Sequence, residues 1–258
     1  MAIPSLFSPG FRAGLRRRRN FSSRLCAVLL WPLLAAAPCS AEMPDYLRTA
    51  LEKFVPEVPR NWAYSLTTER DGKSITERYD PAKPPAEQWA LLNLEGHAPT
   101  GEDQEKYFKY KASQLPGATQ ATFHRADIEP GTLKLVEEDS NHAEFTCAFR
   151  EQSANADKML GHLRLRLTVN KQQRHVEKFN LTLAAPYSPV LSVRMRELVV
   201  TMNFSPPSDG RPSLPARSSS HFAGRIFLIP VEENIAFIYF DFAMAVQTPA
   251  GPAVVPPQ

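Results

Sequence analysis

The amino-acid sequence predicts an α+β fold that is mostly antiparallel β-sheet, with two or three helices packed on one face. The main observation is an alternation of apolar and polar residues. It is clearest over residues 163–169, where the odd positions are aliphatic and the even positions are Arg or Thr. This period of two is typical of strands with one buried and one exposed face. Two other stretches have the spacing of amphipathic helices, which completes the α+β prediction.

The first half of the chain predicts a helix followed by three strands. Apolar residues recur three and four positions apart over residues 45–55, which favours a helix. Strands are predicted at 62–67 and 74–79, on either side of Asp71-Gly72, a pair typical of tight hairpin turns. A third strand is predicted at 89–94.

A second helix is predicted to begin after Thr100. Thr100 and Asp103 have the spacing of a capping box, in which two residues at a helix start exchange hydrogen bonds. Tyr107 and Tyr110 lie three positions apart and are predicted to mark the inner face of this helix.

The second half predicts a β-meander followed by a final hairpin. Residues 205–220 are rich in Pro, Ser and Gly and predict a long mobile connection. The C-terminal residues 247–258 are mostly Pro, Ala and Val and predict a disordered tail. The predicted strands are 133–137, 145–149, 163–169, 179–183, 191–195, 198–204, 222–228 and 235–242, and 191–204 can also be one long strand with a bulge.

The strand at 235–242 is apolar at nearly every position. Two arrangements account for this. Either the strand is central and covered by protein on both faces, or one of its faces meets a ligand.

The first 41 residues have the order of a secretory signal peptide. Six arginines precede or begin an apolar run at residues 25–37, and Cys39-Ser40-Ala41 offers a cleavage site after Ala41. The run of 13 residues is shorter than the roughly 20 that a membrane-spanning helix needs. We therefore expect export to the periplasm and no permanent membrane span, by the general route or, because Arg18-Arg19-Asn20-Phe21 resembles a twin-arginine core, by the folded route.

Removal of residues 1–41 changes the composition that matters for function. The full chain has 30 basic and 27 acidic side chains, and loss of the six arginines changes the net charge from +3 to −3. A mildly acidic protein is not expected to bind nucleic acid. Cys147 is the one cysteine left outside this segment. It shares a strand face with Phe145 and Phe149, which predicts a buried, unreactive thiol.

Motifs for catalysis or metal binding do not occur in the sequence. The six histidines lack metal-ligand spacing, and there is no nucleophile elbow or phosphate-binding glycine loop, so no cofactor, metal or catalytic residue is predicted. The clearest charged feature is an Arg-x-Arg pair on each of two predicted strands, which would form a basic patch if the strands paired. Alternatively, these arginines form only a charged exposed face, which prevents the sheet from aggregating. The four residues are Arg164, Arg166, Arg194 and Arg196.

The predicted order of an export segment, a helix, a hairpin, a second helix and a long meander resembles the periplasmic lipoprotein-carrier superfamily, the localisation factors for outer-membrane lipoproteins. This resemblance implies an incomplete barrel or strongly curved sheet that wraps helices and holds acyl chains. Residues 78–81, 89–92 and 96–100 (Arg-Tyr-Asp-Pro, Trp-Ala-Leu-Leu and Gly-His-Ala-Pro-Thr) also look like segments that recur in uncharacterised exported bacterial proteins.

Three functions follow as hypotheses. The first is a non-catalytic periplasmic protein that binds or carries a lipid or a lipoprotein acyl chain on the concave face of its sheet. The second is an envelope protein–protein interaction module with a filled core, and the third is an enzyme without a recognisable motif. The residues expected to line the apolar site are Trp62, Tyr64, Trp89, Phe145, Phe149, Phe179, Phe237 and Tyr239.

Overall fold

The computed structural model describes residues 43–113, 123–208 and 210–245. The predicted export segment and the predicted C-terminal tail lie outside the described residues. Within the described residues there are three α-helices and eleven strands. The helices are α1 (Asp45–Lys53), α2 (Gly101–Ser113) and α3 (Glu151–Ala156). The strands are β1 (Trp62–Arg70), β2 (Lys73–Tyr79), β3 (Trp89–Leu94), β4 (Lys134–Glu138), β5 (His142–Cys147), β6 (Leu163–Asn170), β7 (His175–Leu183), β8 (Tyr187–Val190), β9 (Val193–Phe204), β10 (Pro215–Ile226) and β11 (Ile229–Met244).

All eleven strands belong to one antiparallel sheet. Its order is β3-β2-β1-β11-β10-β9-β7-β6-β5-β4, and the short strand β8 also pairs with β9. The last strand, β11, lies between β1 and β10, so the N-terminal and C-terminal hairpins are joined in the middle of the sheet. The sheet is curved and does not close into a barrel, which confirms the predicted α+β class with a curved meander sheet.

One row of paired residues crosses ten strands and defines the inner face of the sheet. Residues that pair directly on neighbouring strands share a face. Burial along the row is nearly complete from β5 to β10 and decreases from β11 to β3. The row is Leu135, Phe145, Leu167, Phe179, Met202, Ser218, Phe237, Thr68, Ile75 and Leu94, from β4 to β3.

Helix α1 covers the inner face over β5 and β7. Leu47 and Ala50 are buried, as the apolar spacing of this segment predicts. Phe54, which directly follows the helix, lies against Phe179 with ring centroids 6.4 Å apart. The helix is thus fixed by apolar burial on one side, the usual source of stability for a helix this short.

Helix α2 lies over another part of the same face, at β2. Its start has the predicted capping box, because the Thr100 backbone N–H donates to Asp103 and the Asp103 N–H donates to the Thr100 hydroxyl. The prediction that Tyr107 and Tyr110 mark its inner face is correct for Tyr107 and wrong for Tyr110. Tyr107 is buried, but Tyr110 is exposed, and Lys111 takes the inner position because its ammonium pairs with Glu77 of β2 at 2.7 Å.

Strand β9 is a single long strand with a bulge, which was one of the two predicted alternatives. The pairing with β10 shifts register between Ala223 and Gly224. A Cβ atom on Gly224 would lie 2.5 Å from the carbonyl oxygen of Arg194, so this close approach of β10 to β9 requires glycine.

The prediction of a mobile connection over residues 205–220 is wrong for residues 215–220, which belong to a strand. Strand β10 begins at Pro215, and Ser218 is buried in the middle of the sheet. Proline is tolerated at the first position of a strand. The serines that follow are held by ladders to β9 on one side and β11 on the other, which outweigh their local preference for loops.

Candidate functional site

The eight aromatic residues expected to line an apolar site are mostly buried. Trp62, Phe145, Phe149, Phe179 and Tyr239 are buried, whereas Tyr64, Trp89 and Phe237 are half-buried. Except for Trp62, they belong to the apolar core or pack against it. They do not form one continuous lining, because most of them belong to two separate aromatic clusters.

The first cluster lies beneath α1 and fills that half of the inner face. Phe123 contacts Phe149 and Phe179, with ring centroids 5.4 and 5.1 Å apart. Phe54 contacts Phe179 and Phe204 from the helix side. These edge-on ring contacts are typical of a packed interior. Phe145, Phe149 and Phe179 therefore serve as core residues in this conformation.

The second cluster lies near α2 and has a charged residue at its border. Tyr64 is central, with ring centroids of Tyr79, Trp89 and Tyr239 within 6.0 Å. Burial is the main cause that raises the pKa of the Tyr64 hydroxyl above its usual value. The Lys111 ammonium lies 4.1 Å from the centre of the Trp89 ring, a cation–π geometry.

A half-exposed stretch of the inner face lies between these two covered regions. Helix α1 packs over β7 and α2 over β2, so β1, β11, β10 and β9 lie between them in the sheet order. Phe237 and Thr68 are only half-buried there, and neighbouring Ile75 is exposed.

Strand β11 is central, but its outer face is only partly covered by described residues. Phe237 and Tyr239 lie on the inner face, whereas Phe240 lies on the outer face and is 38 % exposed. Of the two predicted arrangements, complete cover by protein on both faces is thus not met in the described residues, and the alternative of a ligand on one face stays a prediction.

The prediction that the two Arg-x-Arg pairs form one basic patch is wrong. Arg164 and Arg166 lie on β6, and Arg194 and Arg196 lie on β9, but β7 separates the two strands. The pairs are also offset, because the position on β9 level with Arg164 is Val199. Arg166 is instead paired with Glu144 of β5 at 2.7 Å. Sequence alone could not predict this strand order, because the alternation that identifies strands does not indicate which strands pair.

A wide cleft of about 770 Å³ lies near the β1–β2 turn, lined mainly by outer-face residues. Its lining includes Arg70, Lys73 and His221. The His221 ring is 2.9 Å from the Asn234 side chain and 3.8 Å from Glu197. Arg70 is paired with Glu233. These contacts hold Arg70 and His221 to neighbouring polar side chains, and none of the contacts joins a nucleophile to a base.

Residues 43–113, 123–208 and 210–245 contain no group of three or more His, Cys, Asp or Glu side chains placed to hold a metal ion. No helix in the same part of the chain has the length and apolar character needed to cross a membrane.

An exposed apolar surface, here called the apolar tip, lies at one end of the sheet. It combines the β8–β9 turn with the β10–β11 turn. Leu228 is 88 % and Phe227 is 74 % exposed. Isolated exposed apolar residues are ordinary, but a contiguous group marks a contact surface. The tip consists of Val190, Leu191, Ile226, Phe227, Leu228 and Ile229.

The two turns of the apolar tip are held together by backbone contacts. Val193 pairs with Ile226, and the Phe227 N–H donates to the carbonyl oxygen of Ser192. Phe227 is the first of two turn residues and has a φ of 55°, a conformation in which glycine or asparagine is usual. Neither the turn geometry nor burial of the ring accounts for phenylalanine at this position.

A pair of arginines lies directly behind the apolar tip. Arg194 of β9 pairs with Arg225 of β10, and both are exposed on the outer face. Like charges placed opposite one another on neighbouring strands are destabilising. Neither guanidinium has an ion pair within the described residues.

The sequence contains a pattern that can identify the apolar tip. Residues 226–231 read Ile-Phe-Leu-Ile-Pro-Val across a hairpin turn, where Asn, Asp or Gly is expected. A run of exposed apolar residues at a turn is unfavourable unless it has a function.

Comparison of the chain with protein-family models, curated proteins and solved structures finds no match.

Proposed function

We propose that this protein is exported to the periplasm and acts there, without catalysis, as a binding module that attaches to an envelope component through its apolar tip. The observation that carries the proposal is the exposure of six neighbouring apolar residues at two joined turns. The aromatic packing beneath α1 agrees with it, because the protein's own side chains fill that part of the inner face.

Site-specific crosslinking tests the proposal. A photoreactive amino acid replaces Leu228 in the full chain, and a second form carries it in place of Leu135, an exposed leucine on edge strand β4. In cells, the Leu228 form is expected to give discrete adducts and the Leu135 form to give none. Equal adducts from both positions, or none from either, would contradict the assignment of the tip.

The export part of the proposal has its own measurement. The full chain is expressed, the periplasmic fraction is isolated, and the intact mass of the protein is determined. Cleavage after Ala41 predicts a mass that corresponds to residues 42–258. An unprocessed chain that stays in the cytoplasm would rule out export and leave the tip assignment to the crosslinking result.

Carriage of a lipid or lipoprotein acyl chain is a second candidate, in line with the resemblance to lipoprotein carriers. It is favoured by the half-exposed stretch of the inner face at Phe237 and Thr68. A fluorescent fatty-acid analogue should then bind the purified protein. Phe237→Ala should weaken this binding, whereas Phe240→Ala, on the opposite face of the same strand, should not. Absence of binding together with lipid-free mass spectra would rule out this candidate.

A further inference from the structure

We propose that the partner of the apolar tip is an anionic lipid surface, into which the two turns insert. This inference rests on the proposed function and adds the chemical class of the partner. It is carried by the composition of the tip, the position of the arginine pair behind it, and the arrangement of the remaining charges.

The tip has the apolar composition of an interfacial anchor. Its side chains project from two adjacent turns, and the two at the β10–β11 turn are Phe227 and Leu228. Phe and Leu are typical of the apolar faces of interfacial anchors, which lie about 5–10 Å deep at the boundary between headgroups and acyl chains. The six side chains of the tip carry no polar group that a protein partner could recognise.

The arginine pair lies at the depth where lipid headgroups would be. Arg225 is two residues before Phe227, and Arg194 is two residues after Ser192. At roughly 3.3 Å per residue, the pair lies about 7 Å behind the turns. With the tip among the acyl chains, both guanidinium groups would meet phosphate groups, which are strong acceptors for arginine.

The surrounding charges favour an anionic surface over a second copy of the chain. The carboxylates nearest along the two hairpins, Glu197 and Glu232, lie farther from the turns than the arginines do. Anionic headgroups would relieve the repulsion between Arg194 and Arg225, whereas a symmetric dimer through the tip would bring two such pairs together. The chain without residues 1–41 has a net charge of −3, so attraction to an anionic surface requires a local positive group, and Arg194 and Arg225 are the basic residues nearest the tip.

Vesicle flotation tests the inference. The full chain is expressed and processed by the cell, and the purified protein is mixed with vesicles of phosphatidylcholine alone or of phosphatidylcholine with phosphatidylglycerol. We expect binding to the anionic vesicles that weakens as salt is added. Arg194→Gln and Arg225→Gln together should lower this binding by about 25-fold, since each arginine near an anionic surface contributes roughly fivefold.

Matched variants separate the tip from the rest of the surface. Leu228→Gln should abolish binding to anionic vesicles, and Leu135→Gln should not affect it. Arg164→Gln removes an exposed arginine from β6 and should have little effect. Circular dichroism of each variant shows whether the fold is retained, so that a loss of binding can be assigned to the surface.

Three outcomes would overturn the inference. Equal binding to neutral and anionic vesicles would remove the role of the arginine pair. A concentration-dependent dimer that Leu228→Gln abolishes would make the tip a self-association surface. Absence of vesicle binding together with discrete protein adducts at Leu228 would overturn the lipid partner and leave the proposed function intact, whereas absence of both would overturn both.

Discussion

Cys147 illustrates a side chain whose chemistry is set by its place on one face of a strand. It lies on the inner face of β5 and is buried. Burial raises the pKa of its thiol to about 12, so the thiolate required for nucleophilic attack is scarce at neutral pH. The alternation of Phe145, Cys147 and Phe149 was sufficient to predict this, and the prediction of a buried thiol is confirmed.

His175 is a buried residue with no such alternation to identify it. It begins β7, is 3 % exposed, and neither ring nitrogen has a hydrogen-bond partner in the described residues. Burial lowers the pKa of this imidazole, because the protonated ring would lose its hydration.

The lowered pKa of His175 predicts a specific pH dependence of stability. Well above pH 6.5 the ring is neutral in both the folded and unfolded chains and adds no pH dependence. As the pH falls below this value, the unfolded chain takes up the proton first, so the free energy of unfolding decreases until the folded pKa is reached. Urea unfolding between neutral and mildly acidic pH should show a flatter profile for His175→Leu than for the unmodified protein.

His97→Gln provides the control for this measurement, because His97 is exposed. Its stability profile should follow that of the unmodified protein. Parallel profiles for His175→Leu and the unmodified protein would contradict the prediction.

At the scale of elements, α2 is held to the sheet by one buried carboxylate. Glu77 of β2 accepts a hydrogen bond from the Tyr107 hydroxyl at 2.7 Å and pairs with the Lys111 ammonium at 2.7 Å. Burial, followed by the hydrogen bond to Glu77, raises the pKa of the Tyr107 hydroxyl. The helix therefore depends on a polar contact in an otherwise apolar face.

Lys111→Met is expected to lower the free energy of unfolding by about 2 kcal/mol, because it leaves the Glu77 carboxylate buried without its cation. Lys109→Met is the matched control. It removes an exposed lysine of the same helix that pairs with Glu105, and exposed pairs contribute little. Urea unfolding of both variants measures the difference. Equal free energies of unfolding would contradict the proposed role of Glu77.

The prediction of α2 shows what local sequence can and cannot identify. Its capping box could be predicted because both partners lie within four residues of each other. Its inner face could not, because a lysine normally lies in water and is held inward here by Glu77, which is distant in the sequence. The same reasoning applies to β10, whose serines form a strand because two neighbouring strands pair with them.

At the scale of the whole molecule, the two edges of the sheet are unequal. Strand β4 is exposed along its whole length, whereas β3 lies against α2 and its Leu91 is buried. The most buried strand is β6, which lies between β5 and β7, and its Leu165 and Leu167 are 0 % exposed.

This asymmetry predicts the order of hydrogen exchange along the sheet. Amide protons of β6 and β7 are expected to exchange slowest, those of β3 faster, and those of β4 fastest, because exchange follows the free energy of local opening. Mass spectrometry of peptides after timed exchange gives this order. Protection of β4 equal to that of β6 would show that the edge is covered by something outside the described residues.

The sequence by itself determined the fold class, most of the strands, the start of α2 and the burial of Cys147. Each of these depends on residues that are close in the chain, where alternation and capping leave a local pattern. Tertiary structure alone decided that β7 separates Arg166 from Arg194 and that β11 pairs with β1, which is distant in the sequence. It also decided that Leu228 stays exposed. Strand order and exposure depend on contacts between distant segments, which leave no such pattern in the sequence.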